Sequence, residues 1–184
     1  MPSSTRYHPF YCEENLWWWC RTLSPGELAR AHVLIISNPE RRAAVGLQRL
    51  GKPPGDFMVW DYHVVGHLQT ESSPQLIDFD TSAETTTLDA AWWFTTQERL
   101  LEWVVDEYHP LMRPIEGRRY LSDFSSTRRH MLDDAGQFIR PEPPWDPIQA
   151  ESNDLSDIEG LLRPDAAEGW YAIHELAQIL RLKR

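Results

Sequence analysis

The chain has no long apolar run. Its longest stretches, such as Val33 through Ile36, fall far short of the roughly 20 residues needed to cross a bilayer. Its start, Met1-Pro-Ser-Ser-Thr-Arg-Tyr-His-Pro, lacks the apolar segment of a secretory signal. Cysteine is scarce: only Cys12 and Cys20 occur. On one helix, eight residues would separate them by roughly 12 Å. Bridged cysteines need Cα atoms within about 7 Å, so the two should not pair with each other. Two unpaired thiols and no export signal fit a reducing compartment, the cytoplasm, with the nucleus also open. Basic residues are outnumbered, 18 Lys and Arg against 28 Asp and Glu, for a net charge of −10. That argues against general nucleic-acid binding, which relies on cationic side chains neutralising phosphates. It suits solubility, and attraction of a cationic substrate group. No internal repeat and no compositional break marks a second domain. We expect one domain over residues 1–184, monomeric, with residues 1–10 as a polar N-terminal arm.

What the sequence does hold is nine Trp and fourteen Pro, hence bulky core side chains and long extended segments. Periodicity predicts a helix over 12–23, stopped by Ser24-Pro25-Gly26, with Cys12, Leu16, Trp19, Cys20 and Leu23 on one face. Three consecutive Trp, 17 to 19, sweep about 200° of that helix, so it should be covered on more than one side. Residues 31–37 read as a buried strand rich in β-branched side chains. After the Pro53-Pro54-Gly55-Asp56 turn, residues 57–68 read as the longest strand and 75–80 as its hairpin partner. Residues 95–108 read as an amphipathic helix with Leu100, Leu101, Val104 and Val105 inward. Pro114 marks 112–116 as an edge strand. Residues 123–150 are polar, Pro-rich and too long for an ordinary connection, hence functional or mobile. Short helices are expected over 153–162 and 173–182, the latter with Leu176, Ile179 and Leu180 inward. The fold class is α+β, an antiparallel sheet flanked by helices.

The chemistry concentrates in three places. In a strand over 57–68, Met58, Trp60, Tyr62 and Val64 share one face and Asp61, His63, Val65 and His67 the other. A hairpin about residues 70 and 71 would put His63 opposite Asp78 and Asp61 opposite Asp80, same-side neighbours about 4.5–5.5 Å apart at Cβ. Asp78 could then orient His63; a register shifted by two would offer Asp80 instead. Cys12 stands at a helix start, where unpaired N–H groups and the dipole stabilise a thiolate. Glu13 and Glu14 oppose thiolate formation, so a protonated histidine partner would be needed. Cys20, amid tryptophans, should be an inert buried thiol, and His67 a structural histidine. Each feature also has a plainer reading: a lone Cys is often a small core hydrophobe, and a His–Asp strand pair often a structural one. Zinc ligation is disfavoured, because structural sites cluster closely spaced Cys or His pairs, which are lacking here.

The words around these residues are Tyr11-Cys12-Glu13-Glu14-Asn15, Trp60-Asp61-Tyr62-His63-Val64-Val65 and Asp78-Phe79-Asp80-Thr81. With Ile36-Ser37-Asn38, Arg129-His130-Met131, the Pro-rich run 140–147 and Gly169-Trp170, they resemble, in order, the protein N-terminal glutamine amidohydrolase family. The resemblance implies a Cys12–His63–Asp78 triad on a transglutaminase- or papain-like scaffold. It implies deamidation of N-terminal Gln on proteins and peptides through a thioester, in a degradation route that acts on N-termini. It also implies neither metal nor organic cofactor. For the substrate's α-ammonium, Asp61 and Asp80 are the nearest candidate acceptors, with Glu13 and Glu14 next. Competing readings are a non-catalytic module that binds protein N-termini, and another thiol hydrolase or a transglutaminase.

Overall fold

A six-stranded antiparallel sheet organises the residues that the computed structural model describes, namely 6–53, 55–150, 155, 158–162 and 169–182. The chain opens with helix α1 (Cys12–Cys20), a short helix α2 (Pro25–Leu28) and strand β1 (Ala31–Ser37). Strands β2 (Ala43–Val45) and β3 (Met58–Trp60) form a small sheet of their own. Then follow β4 (His63–Leu68), β5 (Gln75–Ile77), β6 (Thr87–Asp89) and helix α3 (Ala90–Leu101). The rest comprises β7 (Leu111–Glu116), α4 (Gly117–Asp123), α5 (Ile158–Leu161), β8 (Tyr171–Ala172) and α6 (Ile173–Ile179). The large sheet runs β6-β5-β4-β1-β7-β8. Among the described residues, no helix is long and apolar enough to cross a membrane.

Central strand β1 matches its expected range and shows why its sequence is apolar without alternation. Val33 and Ile35 pack toward Leu16 and Trp19 of α1, while Leu34 and Ile36 pack toward Trp93 and Phe94 of α3 and Leu176 of α6. A strand covered on both faces needs apolar residues at every position. Each such side chain contributes about 1.5–3 kcal/mol on burial. Helix α1 comes close to the sheet because β4 has a glycine beneath it. A Cβ on Gly66 would lie 2.8 Å from Trp19 Cζ3 and 2.9 Å from Leu16 Cδ1. As its tryptophans imply, α1 is covered on several sides: Leu16 and Cys20 are buried, and so are Glu13, Glu14 and Asn15.

Several boundaries differ from expectation, each for a local reason. Helix α1 ends at Cys20, and Ser24-Pro25-Gly26 begins a new helix instead of only stopping the old one. Ser24 and Glu27 form a reciprocal capping box, with Pro25 in the first turn, where it loses no hydrogen bond. The strand expected over 57–68 breaks at Asp61-Tyr62. There Ser37 Oγ donates to the Asp61 carbonyl (2.6 Å), and β3 leaves to pair with β2. Residues 75–80 are strand only to Ile77. Helix α3 starts five residues earlier than expected because the Asp89 carboxylate caps the Trp92 N–H at 2.8 Å. It ends at Leu101, so Val105 is exposed. Strand β7 pairs with β1 along its length, but β8 covers only Leu111 and Met112, which leaves Pro114 without a neighbour on that side among the described residues. In α6, Ile173 and Ala177 join Leu176 inward, and Ile179 faces out. Of the helix expected over 153–162, residues 153, 154, 156 and 157 lie outside the described ones.

Candidate active site

Cys12 is the first residue of α1, directly after Tyr11 and after Phe10, whose φ of 69° turns the chain into the helix. Asn15 fixes the incoming arm to α1: its side-chain carbonyl accepts the His8 N–H (2.8 Å) and its amide donates to the His8 carbonyl (2.9 Å). Cys12 and His63 border one cavity, whose wall also includes Trp60, Tyr62, Asp61 and Asp80. His130 and Phe10 border it as well. The site therefore forms where the start of α1, the start of β4 and the loop after β5 meet.

His63 Nε2 lies 3.0 Å from Asp78 Oδ1, with both side chains almost wholly buried. Asp78 Oδ2 accepts from Gln48 Nε2 (2.8 Å), and Oδ1 accepts the Asp80 N–H (3.0 Å). Gln48 is held in turn by the Trp60 indole N–H (3.2 Å), and the Trp60 ring stacks on His63 at 5.6 Å and 15°. Burial alone would raise the Asp78 pKa, but His63 and these donors overcome it and hold it below the usual carboxylate value. Burial likewise opposes a charged His63, yet Asp78 outweighs it and raises the imidazole pKa.

The expected register needs correction. The β4–β5 ladder pairs Gly66 with Ile77, His67 with Leu76 and Leu68 with Gln75, two residues out from the one derived above. Extended by its own rule, it would put Asp80 across from His63. Asp78 nonetheless makes the bond, because the ladder stops at Ile77 and the Asp78 N–H turns away to the Thr86 carbonyl (2.9 Å). A slip of two preserves which residues share a face, so the partner survived the wrong register. Asp80 borders the cavity, and its Oδ1 accepts the Tyr7 hydroxyl at 2.8 Å. Asp61 also borders it, largely exposed, with Arg41 at 4.0 Å.

The two glutamates after Cys12 have separate fates. Glu14 is saturated by donors: Arg128 Nε (2.7 Å) and Nη2 (2.9 Å), Ser126 Oγ (2.7 Å) and Trp145 Nε1 (2.6 Å). Its charge is thus neutralised away from the thiol. Glu13 has no such set of donors; its Oε1 lies 3.6 Å from His130 Nε2, at ion-pair and not hydrogen-bond distance. Its Oε2 accepts the Tyr62 hydroxyl (3.0 Å) and lies 3.7 Å from Cys12 Sγ, while Oε1 has no hydrogen bond. Burial pushes the Glu13 pKa up to about 8, so the group is mostly a neutral acid at neutral pH. Tyr62 also meets His130 Nε2 at 2.9 Å. Burial, and then Glu13, push the Cys12 pKa well up, opposed by a hydrogen bond from the Val64 backbone. Cys20 is buried throughout and pushed up to about 12.

Sequence reading missed four contributors: Gln48, the stacking Trp60, Arg128 and His130. The last two come from the Pro-rich 123–150 segment, which proves to be a wall of the site. The segment's length marked it as functional or mobile, and Arg129-His130-Met131 was among the words of the family resemblance, but neither assigned a role to Arg128 or His130. Among the described residues, no three His, Cys, Asp or Glu side chains converge as a metal site.

Residues 7–182 match the family described as N-terminal glutamine amidase. The chain is 30% identical over 178 residues to the protein N-terminal glutamine amidohydrolase of Drosophila ananassae, covering 95% of this chain and 86% of that one. The same-named proteins of Drosophila virilis and Drosophila melanogaster are 30% identical over 179 residues (95% and 86%) and 29% identical over 183 residues (97% and 88%).

Proposed function

The chain belongs to the N-terminal glutamine amidase family, and from that premise we propose that it deamidates the side chain of N-terminal Gln on proteins and peptides, releasing ammonia. The observation that carries the reading is that Cys12, at a helix start, and His63 border one cavity, with Asp78 buried behind His63 and bonded to it. Asp78 occupies Nε2, so Nδ1 is left to take the thiol proton. The thiolate attacks the carboxamide carbon, and the oxygen gains the charge, stabilised by backbone N–H groups at the start of α1. The C–N bond breaks as His63 gives its proton to the departing ammonia. Water, deprotonated by His63, then attacks the thioester; the C–S bond breaks, leaving N-terminal Glu and the restored thiol. Neutral Glu13 removes a charge that would oppose the thiolate.

In this reading Asp61 and Asp80 accept the substrate's α-ammonium, Asp80 being oriented by Tyr7. The scaffold is of the transglutaminase and papain-like kind: nucleophile at a helix start, His on a strand, and Asp just past the end of the adjoining strand. The chain acts as one domain over 1–184 and as a monomer, in the cytoplasm or nucleus, where two free thiols persist. The deciding experiment compares ammonia release from a peptide beginning with Gln and from the same peptide bearing one extra N-terminal residue. Release from the first alone supports the function. Peptide cleavage or amine cross-linking instead would replace it with another thiol chemistry, and binding without turnover with a non-catalytic module.

A further inference from the structure

A second pocket lies at the far end of the same strands. His32 of β1 and His67 of β4 are register partners, their ring centroids 5.9 Å apart. His67 is four residues beyond His63, so this pocket is on the order of 13 Å along the strand from the cavity at Cys12. His67 is only 1% exposed, yet neither ring nitrogen has a hydrogen-bond partner, and the buried Nδ1 of His32 has none either. Native proteins leave few buried polar atoms in this state, and those that occur call for an explanation. Both rings border a surface pocket that Arg30, Gln69, Ile179, Leu180 and Arg181 complete.

The charge of the pocket selects its ligand. Arg30 Nε donates to the Gln69 carbonyl (3.1 Å), and neither guanidinium has a carboxylate partner at salt-bridge distance among the described residues. The nearby acids stand outside: exposed Glu116 faces His32 across the β1–β7 ladder, half-buried Glu27 adjoins Arg30, and Glu71 and Asp89 line a neighbouring pocket that Gln69 and Arg181 also border. Across β5, His67 faces apolar Leu76. Burial, and then His32, push the His67 pKa down to about 4; burial also lowers that of His32, against the pull of Glu116. Two neutral imidazoles could suit a transition metal, but no third ligand joins them and two guanidiniums repel a cation. An oxyanion meets two guanidinium forks at the rim and imidazole N–H donors at the floor.

We infer that the pocket of Arg30, His32, His67 and Arg181 binds an oxyanion of the phosphate type, free or as a monoester. The test follows the histidine ring resonances of the full-length chain by NMR, titrated with inorganic phosphate and separately with phenyl phosphate at constant ionic strength. Saturable shifts of His32 and His67 are expected with at least one of them, and which one binds distinguishes a free anion from an ester. An Arg30→Gln/Arg181→Gln double variant should bind at least about tenfold more weakly, since charge-assisted hydrogen bonds are the strong ones. It should also keep its parental deamidation rate, because both side chains are remote from Cys12. No shift beyond the ionic-strength control would overturn the site, as would binding undiminished in the double variant or saturation by Zn²⁺ alone.

Discussion

Asp78 reaches His63 diagonally, from one residue beyond the last rung of the β4–β5 ladder, and not from directly across it. The bond therefore depends on the turn at the end of β5 and on the Gln48 amide that grips the other carboxylate oxygen. Asp78→Asn should keep the fold but favour the wrong imidazole tautomer; in an analogous triad such a change costs about 10⁴-fold in kcat. Asp80→Asn should act mainly on KM and narrow the preference for free over acetylated N-terminal Gln, the mark of lost ground-state binding. Steady-state kinetics on one Gln-peptide separate the two. The reverse order would assign the orienting role to Asp80.

The two cysteines should respond oppositely. Cys12→Ser should lose nearly all deamidation with an unchanged thermal midpoint. Cys20→Ser should retain activity and lose stability, by about 1–3 kcal/mol, for a hydroxyl placed in an apolar, fully buried position. Activity and calorimetry on both variants check this.

Glu13 carries a pH signature. Its pKa rises on folding from the ordinary carboxylate value to about 8, so its favourable contribution is complete below about 4.5 and fades as pH rises through about 8. Relative to Glu13→Gln, the parent should therefore lose stability progressively between those limits, at up to about 1.4 kcal/mol per pH unit. The same ionisation places a negative charge beside Cys12 Sγ. Cys12 alkylation by iodoacetamide should match in parent and variant near neutrality and lag in the parent above about pH 8. Parallel profiles throughout would mean that Glu13 does not ionise there.

Arg128 holds a buried carboxylate. Both side chains of the Arg128–Glu14 pair are almost inaccessible, so Arg128→Met would leave Glu14 charged with its main partner gone. A loss of about 3–5 kcal/mol is expected, read from denaturant midpoints. Arg128→Lys should recover little, since a single ammonium cannot reproduce the two-pronged contact.

Gly66 tests how α1 is seated. Gly66→Ala puts a methyl against Trp19 and Leu16, an overpacking cost of about 1–3 kcal/mol. Because α1 carries Cys12, kcat should fall too, and a smaller side chain at Leu16 should restore part of both.

The parts of this protein legible from sequence are those where local pattern and tertiary role coincide. Residues 31–37 read as a buried strand because a strand covered on both faces has no polar positions. Cys12 read as a helix start because helical spacing begins there, after the polar arm over 1–10. The His63–Asp78 contact was anticipated from a register that was wrong by two, and it survived because the slip keeps faces intact. The break at Asp61-Tyr62 was invisible: alternation continues through it, and only Ser37, distant in sequence, shows that the chain bends. Arg128 and His130 were equally hidden, since their partners Glu14 and Tyr62 lie more than 60 residues away. The start of α3 was missed because the helix over 95–108 was read from its apolar face alone, whereas Asp89 sets the start by capping the Trp92 N–H.

The central claim is that Cys12 becomes acylated by the side chain of an N-terminal glutamine. A Cys20→Ser enzyme, in which Cys12 is the sole thiol, should be mixed with excess Gln-peptide, quenched in acid during turnover and weighed intact. The account predicts an adduct equal to the peptide less one ammonia, located on Cys12, released by hydroxylamine and absent when Cys12 is replaced by Ser. Ammonia production at the parental rate by the Cys12→Ser enzyme, with no adduct in either protein, would contradict it.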